Sequence, residues 1–167
     1  MDIFNQHEAF EIEILDKMNS AKVLEPLVFG AGTMLRLCHE LNRYSADLDF
    51  WFVRETPHQQ YFDNMENSFS KDYDITDAEI KQYTLLFELK SAPYPRRLKI
   101  EIRREMKEWD YEKRIAFSQS STKQVLVKSH TLQQTMENKI GAFLDRGEIR
   151  DCFDIEFLMR RGIQLPV

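Results

Sequence analysis

Residues 24–53, LEPLVFGAGTMLRLCHELNRYSADLDFWFV, decide how the chain is read. The apolar run Leu24 to Phe29 ends at Gly30-Ala31-Gly32-Thr33, and helical spacing then resumes through Met34, Leu35, Cys38 and Leu41. That order predicts a strand, a tight turn and a helix. A polar stretch, 42–46, precedes Asp47-Leu48-Asp49-Phe50-Trp51-Phe52-Val53, whose aromatic and β-branched residues predict a second strand opening at two acids. Residues two apart on a strand share a face, so Asp47 and Asp49 point together while Leu48, Phe50 and Phe52 face a core.

Two carboxylates held close resist joint ionisation unless a cation or several donors lie between them. Mg²⁺ takes oxygen ligands, commonly one or two carboxylates together with substrate phosphates, and an Asp-x-Asp strand offers that pair. Standing alone, the pattern is more often two solvated acids. Its setting changes the balance. Gly30 and Gly32 let backbone approach a ligand closely, and a helix starting near Thr33 aims free amides and its positive dipole end at an anion.

Outward from this stretch, Ile3 to Ser20 is an amphipathic first helix, and Pro57 to Lys71 is a helix with proline in its first turn. Tyr83 to Lys90 and Leu98 to Arg104 are strands around a proline-containing loop, expected as an antiparallel pair. The Leu98-Lys99-Ile100-Glu101-Ile102-Arg103 run alternates strictly and places Glu101 opposite the apolar residues. Beside the Asp47 strand, Glu101 supplies a third carboxylate, as in two-metal phosphoryl transfer. Val125 to Val127 is a short strand or an ordered connection. Thr131 to Arg146 and Glu148 to Arg160 are helices separated at Gly147. The basic run Arg96, Arg97, Lys99, Arg103, Arg104 reads as a charged sheet edge, or as a patch for an RNA or protein acceptor.

The expected fold is α+β, a mixed β-sheet flanked by helices with a helical C-terminal extension. One unit of 167 residues is expected, with an α/β core over about 22–105 and a helical part over about 129–162. Hydrophobic residues make up 43% and charged residues 31%, and mean hydropathy is −0.51, which excludes a disordered chain. A net charge of −5 excludes general attraction to nucleic acid, so any such binding uses a local patch. The two cysteines, Cys38 and Cys152, form no zinc or disulfide framework, and with His58 and His130 they have no visible nucleophilic partner. No secretory signal and no segment of transmembrane length is read, so a cytoplasmic location without membrane is expected.

Three separated blocks resemble the DNA polymerase β-type nucleotidyltransferase superfamily, nearest to abortive-infection toxins of the AbiEii/AbiGii type. They are Gly32-Thr33-x-Leu35; Arg43-x-Ser45-x-Asp47-Leu48-Asp49-Phe50; and Lys139-Ile140-Gly141 through Arg146 with Arg150-Asp151-x-x-Asp154. The resemblance implies a nucleotidyltransferase fold, metal on Asp47 and Asp49, and nucleotide phosphates at Gly30, Gly32, Thr33, Arg43 and Ser45. It also implies Lys139 against the triphosphate, supported by Asp151 or Asp154. Implied with it are Mg²⁺ or Mn²⁺, an NTP such as ATP, an RNA (tRNA) or protein acceptor, and an antitoxin. The alternative for the third block is a salt-bridge network of Lys139, Arg146, Arg150, Asp151 and Asp154 fastening the tail. Ala31 stands where the family has its first glycine, and Glu101 where an aspartate is commoner. A catalytically inactive nucleotide- or partner-binding module on the same fold therefore stays open.

Overall fold

The structure, a computed structural model, describes residues 1–166. Seven strands form one mixed sheet in the order β3-β4-β5-β2-β1-β7-β6. In chain order the elements are α1 (Ile3–Ser20), β1 (Leu27–Gly30), α2 (Ala31–His39), β2 (Asp47–Phe52), α3 (His58–Ser70), β3 (Asp74–Ile80) and β4 (Thr84–Lys90). They continue with β5 (Leu98–Arg103), β6 (Tyr111–Phe117), β7 (Gln124–His130), α4 (Leu132–Arg146) and α5 (Ile149–Arg160). The α+β expectation is met.

Local chemistry explains the helix ends. Asp2 accepts from the Asn5 amide at 2.8 Å to open α1, and Thr131 accepts from the Gln134 amide at 3.1 Å to open α4. Gly147, at φ 64°, closes α4 in the left-handed conformation that glycine adopts freely. Burial then fixes each helix. Phe10, Ile14 and Met18 of α1, Met34 and Leu35 of α2, and Phe62 and Phe69 of α3 share one core with Leu48, Phe50, Ile100 and Ile102. The alternation of β2 therefore turns Asp47, Asp49 and Trp51 to the opposite face.

β2 runs antiparallel to β1 and parallel to β5, with Asp49 opposite Glu101. β4 and β5 pair antiparallel, as expected. Two strands are absent from the sequence reading, β3 and β6, and both are edges of the sheet. Most residues of DITDAEI and YEKRIAF are exposed or half-buried, so neither carries an apolar alternation, and each is held by ladder hydrogen bonds to one neighbour. The same topology corrects the basic run. β5 is an interior strand between β4 and β2, so its charges do not guard an edge.

The turn into α2 carries strain at one residue. Ala31 holds φ 64°, a region that disfavours an L side chain by about 1–2 kcal/mol. Ala31→Gly is expected to gain about 0.5–1 kcal/mol, the relief being partly offset by a more flexible unfolded chain. A higher urea midpoint at unchanged slope is the expected reading, and an unchanged or lower midpoint contradicts it.

Candidate active site

The sheet face opposite the helical core brings Asp47, Asp49 and Glu101 onto two adjacent parallel strands. Burial raises the pKa of Asp47, and the charges of Asp49 and Glu101 raise it further, against weaker opposing effects of Lys99 and Arg150. Asp47 makes no salt bridge among the described residues. Asp49 has a partner: Arg103 Nη1 donates to its Oδ1 at 2.8 Å, while Arg103 Nη2 stays 3.9 Å from Glu101 Oε2.

Packing accounts for the glycines of the turn. A Cβ on Gly30 would lie 2.5 Å from His130 Nδ1 and 2.6 Å from Trp51, so the site's floor closes over bare backbone there. Trp51, Trp109 and His130 meet edge-on or tilted, with ring centroids 4.8–5.8 Å apart, in an aromatic wall beside it. Burial pushes the His130 imidazole down to about 4 and the Cys38 thiol up to about 12, which leaves both neutral near pH 7. A Cβ on Gly32 would lie 2.5 Å from Arg43 Nη2 and 3.0 Å from Ser45 Oγ. The Thr33 hydroxyl donates to the Asp47 carbonyl, tying the α2 start to the head of β2.

Across the cleft, five charged side chains form a continuous relay. Arg43 grips Asp154 with two hydrogen bonds, Nε to Oδ1 at 2.7 Å and Nη2 to Oδ2 at 2.6 Å. Lys139 Nζ lies 2.8 Å from Asp154 Oδ2 and 3.5 Å from Asp151 Oδ1. Arg146 in turn grips Asp151, Nε to Oδ2 and Nη2 to Oδ1, both at 2.8 Å. Both aspartates are fully buried. Hydrogen bonds from Arg146 hold the Asp151 carboxyl below its usual range, and the same bonds raise Arg146. Three cations against two anions leave one net positive charge in the relay. The salt-bridge account of the tail is therefore met in outline, with two corrections. Arg43 joins the network from the α2–β2 connection, while Arg150 instead faces Glu148 at 2.5 Å.

A cavity of about 240 Å³ joins these parts. Asp47, Asp49 and Glu101 line one part of it, Gly32, Arg43 and Ser45 another, and Lys139 with Arg146 and Arg150 the basic part. Gly30, Thr33, Asp151 and Asp154 do not line it, and act on it through the residues they hold. Sequence reasoning missed Arg103. Strict alternation already places it on the face of Glu101, two residues earlier, so the signal was present in the strand.

No group of three or more His, Cys, Asp or Glu among the described residues is spaced to hold a metal alone. The Arg103 guanidinium reaches Asp49 at 2.8 Å and stays 3.9 Å from Glu101. Mg²⁺ needs less than a group of three, since phosphate oxygens and waters complete its octahedron around one or two carboxylates. Asp47 and Asp49 supply two hard donors on one face, and the burial and, after it, the acidic neighbours that raise Asp47 disfavour a charge that a bound cation would stabilise. The residues fit Mg²⁺ or Mn²⁺.

A sequence profile described as the nucleotidyl transferase AbiEii toxin of a type IV toxin–antitoxin system matches residues 13–166. No curated protein matches the chain. Among solved structures, JHP933 from Helicobacter pylori is similar with a TM-score of 0.58 at 20% identity, over 90% of this chain and 66% of that one. A candidate nucleotidyltransferase from H. pylori is similar with a TM-score of 0.60 at 20% identity, over 91% and 68% of the two chains. The chain thus spans about two thirds of the length of these proteins. At that identity the likeness speaks for the fold.

Proposed function

The chain belongs to the AbiEii family of nucleotidyl transferase toxins, and on that premise we propose that it transfers a nucleoside monophosphate from an NTP to a hydroxyl of RNA, such as tRNA, or of protein. One observation carries this reading: a single cleft holds acids on one side and a net-positive relay on the other. Such a pairing suits a substrate with a polyphosphate tail and a site where charge must be neutralised.

Asp47 and Asp49 would hold Mg²⁺ or Mn²⁺, which when bound steadies the charge that develops on the phosphoryl oxygens. Lys139, with Arg146 and Arg150, would face the polyphosphate, and Gly32 and Ser45 line the same cleft. Glu101 takes the proton of the acceptor hydroxyl. That oxygen bonds to the α-phosphorus, the bond to the bridging oxygen breaks, and pyrophosphate leaves. Glu101 keeps acceptor capacity for this, Arg103 at 3.9 Å being its one salt-bridge partner among the described residues. An antitoxin is the partner the family implies. No helix among the described residues is long and apolar enough to cross a membrane.

The test is incubation of the protein with each α-labelled NTP, Mg²⁺ or Mn²⁺, and total RNA or cell extract, with and without chelator. Label on a macromolecule that chelator abolishes supports the reading. Label nowhere favours a binding module that kept the fold without turnover, to which Ala31 in its strained turn would then point.

The raised Asp47 also sets a pH dependence. Its ionised form is the one that binds cation, and its folded pKa lies above the usual aspartate value of about 3.9. The acid limb of kcat/KM is therefore expected at a pH above that value, with activity falling as pH drops through it. Saturation with metal and NTP should move the limb downward, because cation favours the carboxylate. A pH–rate profile with its limb at or below the ordinary value contradicts the assignment.

A further inference from the structure

Arg103 is hydrogen-bonded to one of the two acids assigned to the metal, Asp49. It lies opposite Trp51 in the β2–β5 register, yet its guanidinium rests 4.8 Å above the Trp51 ring and Nη1 reaches back to Asp49 Oδ1 at 2.8 Å. Two other arginines of the cleft are each clamped by two hydrogen bonds to a buried carboxylate, Arg43 on Asp154 and Arg146 on Asp151, while Arg150 pairs with the half-exposed Glu148. Arg103 has one such bond, and its side chain is 33% exposed. It is the cation bonded to Asp49, and a single hydrogen bond holds it there.

A guanidinium cannot yield to a metal by losing its proton, because it stays charged throughout the accessible pH range. A divalent ion on Asp49 and a guanidinium bonded to the same carboxylate repel strongly at such short range. One must move. The anion able to draw Arg103 away without leaving it unpaired is a polyphosphate in the same cleft, which Arg103 also lines.

We infer that Arg103 is a resident competitor for the metal at Asp49, so that the ion is bound tightly only together with the NTP whose phosphates take the guanidinium. The inference rests on the proposed nucleotidyl-transfer reading and deepens it. Metal and nucleotide then bind with positive coupling, and by linkage each raises the affinity of the other by the same factor. Arg103 is a positioning residue in this scheme, setting the order in which the site is assembled.

The test measures Mn²⁺ binding, by the electron paramagnetic resonance signal of free ion, to the full chain and to Arg103→Gln and Arg103→Lys. Each is measured with and without an α,β-methylene NTP analogue. For the native chain the analogue is expected to raise Mn²⁺ affinity by about tenfold or more. Arg103→Gln should bind Mn²⁺ alone about tenfold more tightly than the native chain and lose most of the coupling. Arg103→Lys keeps the charge and should stay close to native. Trp51 emission checks that the wall under Arg103 remains folded in each variant. Equal Mn²⁺ affinity of native chain and Arg103→Gln overturns the competition and leaves the proposed function standing. No Mn²⁺ binding by any form, with or without analogue, overturns the metal assignment itself.

Discussion

Asp154→Ala is expected to destabilise the chain by about 3–5 kcal/mol, the range for removing one partner of a buried ion pair. Its carboxylate is fully buried and receives two hydrogen bonds from Arg43 and a close contact from Lys139. Without it, the Lys139 ammonium is left nearly buried with Asp151 at 3.5 Å, and Arg43 loses its grip beside Gly32. For a chain of this size the melting temperature should fall by about 10 °C or more. Adding Lys139→Met removes the orphaned charge and should recover part of the loss, a coupling that a double-mutant cycle reads directly. A fall of only a degree or two would mean that the relay does not bind the two C-terminal helices to the α2–β2 connection.

The second large effect is on rate. Asp47→Asn and Asp49→Asn are each expected to lower kcat/KM by about 100–1000-fold, the scale seen when one charge-stabilising group of a site is removed. Stability should move differently. The Asp47 charge is disfavoured in the fold by burial and by its acidic neighbours, so Asp47→Asn without metal should melt at or above the native temperature while losing activity. A residue that weakens the fold and serves the chemistry behaves in this way. Asp49→Asn has no such gain, because it takes from Arg103 its hydrogen-bonded partner. A variant that melts lower and keeps its rate would assign Asp47 a structural role.

The parts of this fold legible in the sequence are those where burial writes a pattern. The alternation of Leu98 to Arg103 and the Asp47 to Phe52 run gave two interior strands, and both lie where one face meets the core. Their being neighbours was only an inference from chemistry, since a parallel pairing leaves no local signal. β3 and β6 were invisible for the opposite reason: edge strands bury little, and their residues answer to solvent more than to a core. The candidate site divides in the same way. Asp47, Asp49 and Lys139 are carried by motifs, and the structure brings them to one cleft. The bond of Arg43 to Asp154 spans 111 residues, and no periodicity reports a contact of that kind. Arg103 was legible by position and was misread by charge, because a basic residue within a basic run is indistinguishable from surface until its neighbour across the sheet is known.

In the proposed transfer the α-phosphorus is the atom attacked, with pyrophosphate as leaving group. Parallel reactions with α-labelled and γ-labelled NTP, the same acceptor mixture and Mg²⁺ test it most directly. Label is expected on the acceptor from the α-labelled NTP alone, with γ-label in pyrophosphate and both signals lost in Asp47→Asn and Asp49→Asn. Transfer of γ-label to the acceptor, or α-label transfer undiminished in those variants, would contradict it.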